Sequence, residues 1–454
     1  MRFSELEGAS VGVWGAGREI GSFARQLARR LPTAQIVAVA FDSPPSPTER
    51  EALGPSDPRI VSAPESLEAM SGCTVVVRSP GVSTYRPELL ALRAAGVPVT
   101  TATSLWLAEH GAAGVIGITG TKGKSTTAAL AFHIARAAGV RVRLAGNIGV
   151  PALDLLDEQE PGELVVLELS SYQIADLQTG PEVALITNLF REHTDWHGSE
   201  EAYIADKLRL LELPGVRAAV LNARDERLAA LSPPLELHRY GQCEGWHVEQ
   251  GGLALGGRRM LESEELPLRG EHNALNLCGA LSALEAIPIE LPTLAPALAD
   301  FTALPHRLQP ILERGGVSWI DDSISTTPES SIAALASFAG PNVVLIAGGQ
   351  DRGQDYTSLA RALAASGAAV IGVPTTGARL IADALAAGVA PSRARQVADL
   401  AAAVALAAEM AEPGNVVLLS PAAPSYDNYR DFEARGARFR ELVEPGPDPH
   451  DPRA

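Results

Sequence analysis

Residues 115–139, VIGITGTKGKSTTAALAFHIARAAG, constrain the fold more than any other stretch of the chain. A short apolar run enters a glycine-rich turn, and the turn enters an alanine-rich helical pattern that opens on Gly-Lys-Ser. A strand without polar alternate positions is buried on both faces, as in a parallel sheet covered by helices. Backbone N–H groups in such a turn, together with the helix N-terminus behind it, surround a polyphosphate. Lys124 then reaches the outer phosphates and the Ser125 hydroxyl can ligate Mg²⁺. The usual loop has a further glycine where this chain has Ile118, so the match is to the shorter form Gly120-Thr121-Lys122-Gly123-Lys124-Ser125, continued by Thr126.

The same rhythm runs through the whole chain. Buried strands are predicted at LVVLELS, VALITN and VRAAVLN, and a small antiparallel patch is predicted between Tyr240 and Met260. Upstream, SVGVWGAGREIGSFARQLARRL reads as strand, glycine turn and helix, with Gly15, Gly17 and Gly21 spaced GxGxxxG. The next strand, QIVAVAFD, ends on Asp42, and CTVVVRSPGVS closes a third. This is half of a doubly wound sheet, whose ligand loops lie at the carboxyl ends of its strands. Downstream, VSWI, VVLIAGG, AVIGV and NVVLLSP repeat the pattern. At roughly 100–200 residues per domain, the 454 residues form an α/β protein of three domains, expected at 1–104, 105–299 and 300–454. The first and last are Rossmann-like and the middle one carries the phosphate loop.

Charge and cysteines narrow the partners. A net charge of −17 argues against a nucleic-acid partner, which needs a basic surface. Three scattered cysteines fit a reducing compartment, and no apolar run is long enough to span a bilayer. A cytoplasmic monomer acting on small molecules, without membrane insertion, is the expectation.

Two further clusters sit at strand ends of the middle segment. One strand ends on Glu168, and after Asn188 the next loop carries Glu192, His193 and Asp195. Glu168 and His193 have the ligand types for Mg²⁺ or Mn²⁺ beside ATP, whereas His197 reads as a satisfied loop histidine.

In this order GTKGKST, ELSS, the N-x-x-x-x-H-x-D loop, YIADKLRLL, HNALN, LPHR and LLSPAAPSYDNYRDFEARG resemble the ATP-dependent muramyl-peptide (Mur) ligases. ELSSYQ, GNIGVPAL and SPAAPSYDNYRDFEARGARF resemble most the members that add glutamate to UDP-N-acetylmuramoyl-L-alanine. The resemblance implies activation of the alanine carboxylate as an acyl phosphate and its capture by the glutamate amine. It implies that Gly120, Thr121, Lys122, Gly123, Lys124, Ser125 and Thr126 hold the phosphates. Ser125, Glu168 and His193 would bind magnesium, joined by Lys207 as a carbamate; on residue pattern alone Lys207 is a solvated helix position. Asn273 and Asn276 would meet adenine, and Arg307 and Asp322 the phosphates and ribose. Gly15, Gly17, Asp42, Ser43, Ser79, Gly81 and Asn147 would hold the UDP substrate.

The glutamate pocket departs from the D-glutamate pattern. Ile324 stands where that pattern has a lysine, and Arg352 replaces a second, while Thr326, Ser425 and Phe432 remain at acceptor positions. DSISTTP and GGxDRG resemble a smaller branch that adds L-glutamate, which is the favoured reading over D-glutamate. A folylpolyglutamate synthetase-like ligase shares the loop but lacks the full first domain. A non-catalytic nucleotide-binding scaffold would have lost Lys124, Glu168, His193 or Lys207, and none is lost.

Overall fold

The computed structural model describes residues 1–444 apart from 43–44, 46–49, 52, 54–57, 158–159, 161, 191–193, 269, 303–304, 339–341 and 352. Ser43, His193 and Arg352 therefore lie outside the described residues. The chain divides into two compact units, residues 1–302 and 303–454.

The first unit holds two parallel sheets. Strands β1 (Ser10–Trp14), β2 (Gln35–Phe41), β3 (Arg59–Ser62), β4 (Val75–Arg78) and β5 (Val99–Thr100) are ordered β3-β2-β1-β4-β5. The order reverses between β1 and β4, which opens a crevice at their carboxyl ends, where the Gly15–Gly17 turn and the Ser79 loop lie. Edge strands β3 and β5 escape sequence reading because they are short and half exposed.

The second sheet comprises β6 (Val115–Thr119), β7 (Val142–Gly146), β8 (Leu164–Glu168), β9 (Val183–Ile186), β10 (Ala218–Asn222) and β11 (Glu236–Tyr240), ordered β11-β10-β9-β6-β8-β7. Every residue of β6, β8, β9 and β10 is buried, as their unbroken apolar runs predict. Because β6 pairs with both β8 and β9, the phosphate loop emerges between the ends of those strands. Helices Lys124–Ala137 and Glu271–Glu285 pack together against this sheet. The expected antiparallel patch is a three-stranded sheet of β12 (Trp246–Glu249), β13 (Gly252–Leu255) and β14 (Arg258–Leu261).

One apolar core runs through both parallel sheets, from Phe23 and Val39 through Leu105 and Trp106 to Leu153, Leu167 and Ile186. Helix Ala102–His110 passes through the expected boundary at residue 104 and supplies Leu105, Trp106 and Leu107 to that core.

The second unit is built on β15 (Gln309–Arg314), β16 (Val317–Asp321), β17 (Val343–Ala347), β18 (Ala369–Gly372), β19 (Ala394–Gln396) and β20 (Val416–Leu419), ordered β15-β16-β20-β17-β18-β19. Only β15 is antiparallel, and it carries Pro310 at the sheet edge, where proline costs no ladder bond. Among the described residues no helix is long and apolar enough to cross a membrane.

Candidate active site

The phosphate loop has a conformation that glycine makes available. Gly120 has φ +141°, and a Cβ there would lie 1.9 Å from Thr187 Oγ1. Gly123, at φ +83°, caps the helix Lys124–Ala137, and a Cβ there would lie 2.3 Å from Asn276 Oδ1. Helical bonding begins with Thr127, whose N–H donates to Gly123 O at 2.9 Å. The N–H groups of Lys124, Ser125 and Thr126 thus have no carbonyl within the helix and suit an anion.

The end of β9 holds the loop in shape. Thr121 N–H donates to Asn188 O and Lys122 N–H to Asn188 Oδ1, each at 2.8 Å. Thr187 Oγ1 donates to Lys122 O at 2.6 Å, and Thr121 Oγ1 lies 2.8 Å from Tyr203 OH. Lys124 Nζ donates to Thr121 O at 2.9 Å. Asn276 is buried against Gly123, and its amide donates to Asn273 Oδ1 at 3.4 Å, so Asn276 flanks the loop.

Glu168 ends β8 beside the loop and is fully buried. Its Oε1 accepts from Asn147 Nδ2 at 3.1 Å, while Oε2 is buried without a hydrogen-bond partner. A buried carboxylate oxygen left open is a donor of the kind a hard divalent cation takes, so the donor set fits Mg²⁺. The solvated reading of Lys207 is corrected: the residue is 1 % exposed, and Nζ donates to Gly120 O at 2.8 Å and Thr119 Oγ1 at 3.4 Å. Helix Glu200–Leu208 turns this side chain under the phosphate loop, which residue type and local periodicity do not reveal. His193 falls outside the described residues, and His197 is a satisfied, buried histidine bonded to Ser171 Oγ and Asp206 Oδ2.

Of the expected UDP-binding residues, Gly15, Gly17, Asp42, Ser79 and Gly81 lie just beyond the carboxyl ends of strands of the first sheet. A Cβ on Gly15 would lie 3.2 Å from Ser79 Cβ, and one on Gly17 3.8 Å from Ser79 Oγ, so the two loops touch. Arg86 pairs with Asp42 at 2.7 Å, and Arg18 donates to Gly149 O at 2.5 Å, bringing the turn that carries Asn147 to the same place. Gly81 lies in the Ser79 loop.

Within the second unit, the ends of β16 and β20 carry the expected residues. Asp322 is buried, with Oδ1 accepting from Leu308 N–H at 3.1 Å and Oδ2 from Ser420 Oγ at 2.8 Å. Burial pushes its carboxyl up to about 6 against the opposing hydrogen bonds and the Arg307 charge. Arg307 Nε is buried without a hydrogen-bond partner. Thr326 is half-buried, Ser425 is buried, and Phe432 opens helix Phe432–Val443 with its carbonyl accepting from Ser323 Oγ at 2.8 Å.

Residues 118–284 match the Mur ligase middle domain, and residues 306–423 match the Mur ligase glutamate ligase domain. A protein of Xanthomonas euvesicatoria pv. vesicatoria, named UDP-N-acetylmuramoyl-L-alanine--L-glutamate ligase, is 43 % identical over 98 % of this chain and 97 % of its own length. The chain belongs to the Mur ligase family. A protein of the same name from a Micromonospora strain is 42 % identical over 98 % of each chain. The fold is shared with UDP-N-acetylmuramate-alanine ligase of Thermotoga maritima, at TM-score 0.58 and 19 % identity over 95 % of this chain and 98 % of that one. It is shared also with a MurF ligase of Thermotoga maritima solved with ADP, at TM-score 0.53 and 16 % identity over 97 % and 96 % of the two chains.

In this Mur ligase several supporting residues escaped sequence reading. Tyr203, which bonds Thr121, and Arg78, fully buried against Asp176, sit in unremarkable helix and strand positions. The signal that could have found Arg78 is a charge ending an otherwise apolar strand.

Proposed function

We propose that this chain joins L-glutamate to UDP-N-acetylmuramoyl-L-alanine, with ATP converted to ADP and phosphate. The observation that carries the reading is near-full-length identity of 41–43 % to relatives named for that reaction, on a site that keeps Lys124, Glu168 and Lys207 around one loop.

The chemistry brings two anions together, a carboxylate and a triphosphate, so cancelled charge and held geometry dominate the barrier. The helix N–H groups and Lys124 take phosphate oxygens. Attack of the alanine carboxylate on the γ-phosphorus forms a C–O–P bond and releases ADP; the glutamate amine then forms the amide and releases phosphate. A magnesium ion held by Ser125, Glu168, His193 and Lys207 would supply Lewis-acid charge at the phosphates.

Lys207 takes part as a carbamate in this reading: its neutral Nζ adds to CO₂, a proton leaves, and an ammonium becomes an anionic oxygen donor. Its burial beneath the phosphate loop, with Nζ 2.8 Å from Gly120 O, supports that role by holding the nitrogen at the site. The Gly15–Gly17 turn, Asp42, Ser43, Ser79, Gly81 and Asn147 take the UDP substrate. Asn273 and Asn276 take adenine, Arg307 and Asp322 serve phosphate and ribose, and Thr326, Arg352, Ser425 and Phe432 take glutamate. Domains 1–104, 105–299 and 300–454 divide these tasks, and the enzyme works as a cytoplasmic monomer.

Phosphate release from ATP with UDP-N-acetylmuramoyl-L-alanine plus L- or D-glutamate tests the reading. Turnover with L-glutamate alone is expected. Release with D-glutamate alone would overturn the choice of acceptor, and release with neither would overturn the ligase assignment.

A further inference from the structure

The segment after β4, Ser79–Tyr85, does more than line the nucleotide crevice. Ser83 Oγ donates to Trp196 O at 2.7 Å, and Trp196 Nε1 donates back to Pro80 O at 3.1 Å. Two residues on, the Tyr85 hydroxyl lies 2.8 Å from both carboxylate oxygens of Asp206. Asp206 is buried and also meets His197 Nδ1 at 2.6 Å, whose Nε2 rests on Ser171 Oγ at 2.9 Å. One carboxylate is therefore gripped by a residue following the Ser79 loop and by a histidine anchored at the start of the helix after Glu168.

Asp206 directly precedes Lys207 in helix Glu200–Leu208. Successive helix residues diverge by about 100° and rise about 1.5 Å. Asp206 held on one flank thus sets the rotation of the helix and the direction in which Lys207 leaves it. A swing that released Tyr85 would carry Nζ away from Gly120 O, 2.8 Å distant. Burial and the Asp206 carboxylate push the Tyr85 phenol above its ordinary range, so it remains a proton donor.

We propose that Asp206 is a positioning residue for Lys207, and that Tyr85 couples it to the nucleotide-sugar loop, so that seating the UDP substrate and aligning Lys207 are linked. The proposal rests on the reading of Ser79–Gly81 as substrate loop and Lys207 as active-site group. Tyr85 and Asp206 act on Lys207 through the helix that carries it.

The test is a double-mutant cycle of Tyr85→Phe and Asp206→Ala, measuring kcat, the KM for each of the three substrates and hydrogen exchange of the amides of residues 203–208. A misplacement of about an ångström costs up to about a hundredfold in rate, so Tyr85→Phe is expected to lower kcat by about tenfold with KM for ATP within about twofold. The double variant is expected to be no slower than Asp206→Ala alone, because both changes break the Tyr85–Asp206 contact. A merely structural role would instead lower the thermal midpoint without this split between kcat and KM. An unchanged kcat in Tyr85→Phe, or additive effects, overturns the coupling. If the unmodified protein released no phosphate, the ligase reading would fail separately. The coupling would then stand or fall on exchange: faster exchange at residues 203–208 in Tyr85→Phe supports it, and unchanged protection overturns it.

Discussion

Asp322→Asn separates the cost of a buried charge from its use. The side chain is 2 % exposed, and its carboxyl is raised from the ordinary 3.8 to about 6, chiefly by burial. A carboxyl raised in the folded state contributes stability that is fully present below pH 3.8 and is lost as pH rises through about 6. At about 1.4 kcal/mol per pH unit, keeping the ionised form buried costs about 3 kcal/mol at pH 7–8. Asparagine keeps the acceptor for Leu308 N–H. Its amide can donate to Ser420 Oγ, which lies 2.9 Å from Ser331 Oγ and can turn its own proton there. The variant is therefore expected to be more stable by about 3 kcal/mol at pH 8, with the advantage falling to about 1.5 kcal/mol at pH 5. Native-state hydrogen exchange of the β16 and β20 amides at pH 5–8 reads this directly, as local opening free energies of that sheet. A difference that does not change with pH, or a variant less stable at pH 8, would refute the reasoning. Turnover is expected to fall in the same variant, since the proposed ribose contact requires the carboxylate.

Other perturbations address the first unit. Gly120→Ala places a Cβ 1.9 Å from Thr187 Oγ1 at φ +141°; strain of about 2–3 kcal/mol is expected to weaken ATP binding by about a hundredfold in calorimetry, and unchanged affinity would contradict the close approach. Glu168→Gln removes a buried charge whose Oε2 has no partner, so the melting temperature is expected to hold or rise while the magnesium needed for half-maximal turnover increases by about tenfold or more. A loss of stability without a change in magnesium requirement would count against its role as a ligand. Lys207→Ala is expected to abolish turnover, and a short carboxylic acid to restore part of it in a phosphate-release assay; full activity of the variant would contradict the carbamate.

Much of this site was legible because its signals are local. The unbroken apolar run of β6, the glycines of the loop and the helix opening at Lys124 lie within one short stretch, and each follows from backbone sterics and N–H geometry. Glu168 was readable as a strand end for the same reason, whereas β9 stops at Ile186, two residues before Asn188. The proposed acceptor pocket rests on resemblance alone, since a change from lysine to Ile324 or Arg352 alters charge and reach without stating the hand of the ligand.

Lys207, Asp206 and Arg78 show where local reading stopped. Lys207 has the sequence neighbourhood of a solvated helix residue, yet a loop 87 positions away in the chain covers it. Arg78 ends a strand, and its pairing with Asp176, 98 positions on, ties the loop after it to the second sheet. The sequence alone determined the α/β class, most parallel strands and the phosphate loop, because periodicity and glycine conformation act over a few residues. Only the tertiary structure decided which charged side chains are buried, which partners satisfy them, and that the first two sheets share one core. Burial is a property of what packs on a residue, and here those partners are supplied from distant parts of the chain.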